Sequence, residues 1–168
     1  MSEAVVERPT GARACVFTLA GQRFAVEVGQ AREVVVFDGL TPVPLAPPFL
    51  MGLANLRGAV MPIVDLGPLL GLPAREPARQ TLGIVLTHGP WAAAAAIDAV
   101  LGLEPLGTRS PLGDADQRRW GRLAAGVAAA TAGEVTVLDA GAVLDALRAA
   151  LTGATGRTGT TRSQGGDG

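Results

Sequence analysis

Along residues 14–151 the apolar positions fall in short runs broken by glycine and proline, a pattern of strands and tight turns. Residues 15–19 (CVFTL) and 23–26 (RFAV) flank Ala20-Gly21-Gln22 and predict two strands joined by a glycine-containing turn. Residues 33–37 (EVVVF) form a β-branched run that leaves through Asp38-Gly39. The stretch 42–48 (PVPLAPP) excludes helix and central strand alike, because proline fixes φ and lacks a backbone donor. Residues 53–56, 60–64 and 82–87 predict three more strands, and 123–131 with 134–138 a hairpin around Ala132-Gly133. Residues 91–97 (WAAAAAI) favour helix by composition, since alanine is the best helix former. They follow a Gly89-Pro90 turn after a strand, however, and hairpin geometry makes them the partner strand. Residues 107–122 read as a polar loop, long enough to be a crossover between lobes. Residues 139–151 place Val143, Leu144, Leu147 and Leu151 at helical spacing. Residues 1–12 read as a flexible leader and 152–168, without a large apolar side chain, as a disordered tail. The fold class is therefore mainly β, a barrel or sandwich of short strands with a C-terminal helix.

Composition narrows the function classes. At 168 residues, a chain can bury roughly 70% of its unfolded surface, enough for a core. No apolar run is long enough to span a bilayer, and the N-terminus lacks a signal pattern, so a cytoplasmic protein without membrane insertion is expected. Fourteen basic residues, all arginine, face fifteen acidic ones, and the net charge of −1 argues against nucleic acid as partner.

The reactive inventory is thin. Cys15, the one cysteine, lies in an apolar strand and is expected to be a small buried hydrophobe, which leaves no disulfide and no cysteine-based metal site. His88, the one histidine, sits at a turn and is expected exposed. Phosphate-loop, dinucleotide, zinc-protease and nucleophile-elbow motifs are absent, so no catalytic residue, metal or cofactor is assigned.

The richest cluster is residues 55–66 (NLRGAVMPIVDL). Gly58 opens a backbone conformation closed to other residues directly after Arg57, Pro62 requires an edge or a bulge, and Asp65 is placed to cap a short helix that starts at Leu66 and ends at Gly71. A planar guanidinium on a rigid, glycine-bounded corner is also the form of a partner-binding hot spot, so Arg57 is read as either such an anchor or a solvated surface charge.

This string resembles the hallmark of the CheW-like family: N-L-R-G, three residues, P, two residues, D-L. Further segments agree in order and spacing: FTLAGQRFAVEV, Glu33-Val34, PVPLAPPFLMG, Ile97-Asp98-Ala99-Val100 and GEVTVLDAGAVL, together covering about residues 14–148. The resemblance implies two SH3-like, five-stranded β-barrel lobes within residues 13–151. It also implies a non-catalytic adaptor that couples the regulatory domain of a CheA-type histidine kinase to the cytoplasmic tip of chemoreceptors in membrane-associated arrays. Ala31, Glu33, Gly52, Arg57 and Leu103 match family positions of receptor contact, although Ala31 is smaller than the aliphatic residue expected there. Glu33 and Arg57 would be polar anchors, or either would make an internal salt bridge that shapes the groove. Asn55, Gly58, Pro62, Asp65 and Asp98 match architectural positions; no kinase-facing residue is transferred. Two alternatives remain at this stage. One is the same fold in another chemosensory pathway, such as surface motility or development. The other is a small β-barrel enzyme or ligand-binding domain, which would need Asp65, Asp98 and Arg57 to converge.

Overall fold

A computed structural model describes residues 13–155, residue 77 excepted. Ten strands form two five-stranded sheets. The first contains β1 (Arg13–Leu19), β2 (Gln22–Glu27), β8 (Ala99–Pro105), β9 (Ala124–Ala130) and β10 (Gly133–Leu138), in the order β8-β1-β2-β10-β9. The second contains β3 (Ala31–Asp38), β4 (Leu50–Leu56), β5 (Ala59–Val64), β6 (Gln80–His88) and β7 (Trp91–Ala96), in the order β3-β6-β7-β5-β4. The expected mainly-β architecture of two small lobes is what forms. The chain enters the second sheet through residues 28–30 and leaves it through 97–98.

Each sheet curls until its edges meet. After β3, Thr41 donates to the Leu53 carbonyl on β4 at 2.8 Å and accepts from the Leu53 N–H at 2.9 Å. After β8, Ser110 exchanges the same pair with Val127 of β9 at 2.8 and 2.9 Å. These isolated bridges bring the edges together at the rim without pairing β3 to β4 or β8 to β9 along their length.

Strands buried on both faces explain the dense apolar runs. On β1, Ala14 and Val16 fill the first barrel, while Cys15, Phe17 and Leu19 point into a core shared by both sheets. On β7, Ala94 faces the second barrel and Ala93 and Ala95 the shared core. The alanine run is thus a strand because two sheets must approach across it, and tertiary packing overrides helix propensity. Trp120 completes the shared core, edge-on to Phe24 at 5.4 Å, with its indole N–H donating to the Leu70 carbonyl at 2.9 Å.

Three expectations are corrected. Residues 107–122 are not a plain loop: they contain α2 (Asp114–Trp120), anchored through Trp120, and they join β8 to β9 of one sheet rather than crossing between lobes. β8 itself is a strand the sequence pattern did not predict. The short helix α1 (Gly67–Leu70) starts one residue later than expected, and its N-cap Leu66 has no side-chain cap bond; Gly71 does end it, at φ 65°. The C-terminal helix α3 (Ala140–Thr155) packs on β6 and β7 through Val143, Leu144 and Leu147, and runs four residues past the expected boundary at 151. The leader 1–12 and residues 156–168 of the expected tail lie outside the described residues.

Candidate functional site

The β4–β5 hairpin turns on two residues. Leu56 pairs with Ala59, and between them Arg57 and Gly58 both adopt positive φ, 52° and 86°. That is the primed two-residue turn whose twist matches the strands it joins. The expectation assigned the special conformation to Gly58 alone; Arg57 shares it, at a cost on the order of 1 kcal/mol for a side-chain-bearing residue. Asn55 locks the corner, its Oδ1 accepting from the Gly58 N–H at 2.9 Å.

So aimed, the Arg57 guanidinium meets Glu33 of β3 as a two-pronged fork. Nη1 donates to Oε1 at 2.9 Å and Nη2 to Oε2 at 2.6 Å. The two sides differ sharply in exposure: the Glu33 side chain is 17% accessible and that of Arg57 72%. A half-buried carboxylate holds one in-plane edge of the guanidinium and leaves the rest open to a partner. β3 and β4 are opposite edges of their sheet, so the pair also clasps the rim of the barrel. Of the two roles kept open for these residues, the internal pair is therefore formed, and it presents Arg57 outward.

The other positions matched to receptor contact are spread out. Ala31 is half-buried at the start of β3 and packs against the shared core. Gly52 is buried on β4 at φ 155°, beside a register shift, where a Cβ would lie 2.8 Å from the Thr41 carbonyl oxygen. Leu103 is 52% exposed on β8, in the other sheet. Its cross-strand partner Cys15 and the partner of Val100, Phe17, both belong to the shared core, so Leu103 and Val100 flank the seam between sheets. Val34 and Val36, 40% and 56% exposed, flank it from β3 by the same reasoning through Ile84 and Leu82. Residues 33–37 read in sequence only as a β-branched run; the edge position of β3 shows that these valines are uncovered.

Asp65 and Asp98 form a separate cluster. Asp65, 3% exposed, accepts from the Gly67 N–H through Oδ1 at 2.8 Å and from the Arg75 N–H through Oδ2 at 2.9 Å. It brackets α1 from just outside rather than occupying the cap position. Arg75 continues to Asp98 Oδ1 at 2.5 Å and the Ile97 carbonyl at 3.1 Å, tying the α1 loop to the point where the chain changes sheets. Arg57 and Asp65 lie at opposite ends of β5, about 20 Å apart at the rise of an extended strand. The convergence required by an enzyme using Asp65, Asp98 and Arg57 does not occur. Pro62 is at neither the edge nor the bulge expected of it: β5 lies between β4 and β7, and Pro62 sits opposite Leu53, away from the register shift between Leu50 and Gly52. It is accommodated because the parallel ladder to β7 begins only at Ile63. Cys15 is buried and its thiol pKa is raised by desolvation, while His88 is exposed at the end of β6, as expected of each. Among the described residues, no group of three or more metal-ligating side chains is brought together.

Comparison with known proteins places this geometry. The family model described as "CheW-like domain" matches residues 13–148. The chain belongs to the CheW-like family. Within it, this chain is 36% identical over 101 residues to the chemotaxis protein CheW of Rhizobium meliloti, covering 60% of this chain and 65% of that protein. It is 33% identical over 98 residues to protein FrzA of Myxococcus xanthus, covering 58% and 59%. The chain thus matches less than two thirds of the length of these CheW-like relatives. Its fold is also that of the scaffolding protein TtCheW from Thermoanaerobacter tengcongensis, with a TM-score of 0.64 at 22% identity over 76% of this chain and 88% of that one. The CheW-like motif residues 55–66 build the turn, the clasp and the α1 bracket described above.

Proposed function

We propose that the protein is a non-catalytic adaptor that couples the regulatory domain of a CheA-type histidine kinase to the cytoplasmic tip of a chemoreceptor, working at the inner face of a membrane without inserting into it. The observation that carries this reading is the outward, pre-oriented Arg57 fork: Arg57 and its partner Glu33 match the family's receptor-contact positions, and Asn55, at an architectural position, fixes the turn that aims them. An arginine whose turn and carboxylate partner are already in place loses little conformational freedom on binding. The uncovered apolar side chains beside the seam (Val34, Val36, Val100, Leu103) supply the desolvated surface a protein partner needs. Among the described residues no helix is long and apolar enough to cross a membrane. Likeness to FrzA supports a second reading, the same adaptor chemistry in a chemosensory pathway other than chemotaxis.

The test is co-elution with the regulatory domain of a CheA-type kinase from the same genome, with and without a receptor-tip fragment, for the wild type and Arg57→Glu. Hot-spot arginines are worth roughly 2 kcal/mol, so receptor affinity should fall about thirtyfold. The melting temperature should fall by only a few degrees: the pair's loss costs about 0–1 kcal/mol at the exposed guanidinium, and a second carboxylate beside Glu33 adds a modest repulsion. A well-folded wild type that binds no kinase would remove the adaptor reading. Lost stability with unchanged binding per folded molecule would make Arg57 structural.

A further inference from the structure

A second surface lies away from the Arg57 clasp, where the end of α2 faces α3. Arg118, Arg119 and Arg122 line a groove of about 620 Å³ whose apolar floor includes Leu69, Leu123 and Ala146. Arg119 is fixed: its Nη2 donates to the Gly71 carbonyl at 3.1 Å and its guanidinium stacks on Trp120 at 4.8 Å. Arg118 and Arg122 are exposed and engage no carboxylate among the described residues. Asp145, the one acid at the groove, reaches only Arg148, at 3.8 Å along its own helix. Three guanidinium groups against one carboxylate make this patch locally positive on a chain of net charge −1.

We infer that this groove docks an acidic, leucine-bearing segment of a partner protein, its apolar side chains on the floor and its carboxylates on Arg118 and Arg122. The inference goes beyond the adaptor reading and does not rest on it. Two exposed guanidinium groups at one rim attract an arriving carboxylate together, and a mixed apolar and basic lining suits a peptide better than a small polar anion. Arg119, already immobilised, sets the position of the rim; its two free neighbours supply the charge.

The probe is a fluorescein-labelled 16-residue peptide of alternating leucine and glutamate pairs, followed by anisotropy against the full chain, with a glutamine-for-glutamate peptide as control. The acidic peptide should bind and the control at least tenfold more weakly. Binding should fall at least tenfold in Arg118→Glu/Arg122→Glu and in Ala146→Trp, which fills the floor without changing charge, and stay unchanged in Arg57→Glu. Arg118 and Arg122 are exposed and unpaired, so the double variant should fold normally by circular dichroism. The inference fails if the wild type does not bind, or if Ala146→Trp binds as well as wild type, since attraction is then only diffuse charge. Binding seen only after removal of residues 1–12, or self-association that the charge reversal abolishes, would assign the groove to the chain's own leader or to a second copy.

Discussion

Gly58 and Gly52 both adopt positive φ, at 86° and 155°, for different physical reasons. At Gly58 an added Cβ meets nothing within 4 Å, so alanine there should cost only the backbone conformation, about 1 kcal/mol. At Gly52 the same atom would lie 2.8 Å from the Thr41 carbonyl, which the paired bonds between Thr41 and Leu53 prevent from moving. Alanine at 52 should therefore cost about 3 kcal/mol or more and loosen closure of the second barrel. Urea unfolding of the two variants checks this, and equal losses would show that closure is not rigid. Residue identity alone carried part of the clasp. Asn55, Arg57 and Gly58 announce a turn by type and spacing, whereas the Glu33 partner, 24 residues away, becomes visible only when β3 and β4 meet at the rim.

At the scale of elements, β7 shows how context settles an ambiguous run. Ala95 is fully buried at the face where the two sheets meet, so its methyl sets their separation. Ala95→Leu should overpack this face and cost about 2 kcal/mol, lowering the melting temperature by about 4–8 °C. Ala99→Leu, on the exposed edge strand β8, should change it little. A neutral Ala95→Leu would mean that the sheets part readily. The strand was legible because a Gly-Pro turn follows a strand in a hairpin-like spacing. β8 was not: Gly102 interrupts it, a bulge between Val16 and Phe17 shifts its register, and none of its seven residues is fully buried, so no alternation reaches the sequence. α2 was missed because it is only seven residues long and Gly113 caps it without a side-chain bond. Its one local signal, Asp114 and Asp116 in the first turn with Arg118 and Arg119 in the last, reads equally as a polar loop, and the role of Trp120 depends on Leu70, 50 positions earlier.

The two sheets of the whole molecule share one plan. An outer strand pairs with a hairpin, whose second strand runs parallel to the inner strand of a second hairpin: β8, β1-β2, β10-β9 in one and β3, β6-β7, β5-β4 in the other. Only the second is continuous in sequence, because the first is assembled from residues on both sides of it. Among the described residues their interiors are small, six buried apolar residues in each barrel against twenty-two in the core between them. Most apolar burial therefore belongs to neither lobe alone, and the lobes should not unfold separately. Val137→Ala in the first barrel and Val85→Ala in the second should each cost about 2 kcal/mol. In both variants the whole urea transition should shift, with circular dichroism coincident with tryptophan fluorescence, which reports Trp120 in the shared core and Trp91 on β7. If Val85→Ala instead split the transition in two, the second lobe would be an independent folding unit. The clasp at its rim could then open without disturbing the first.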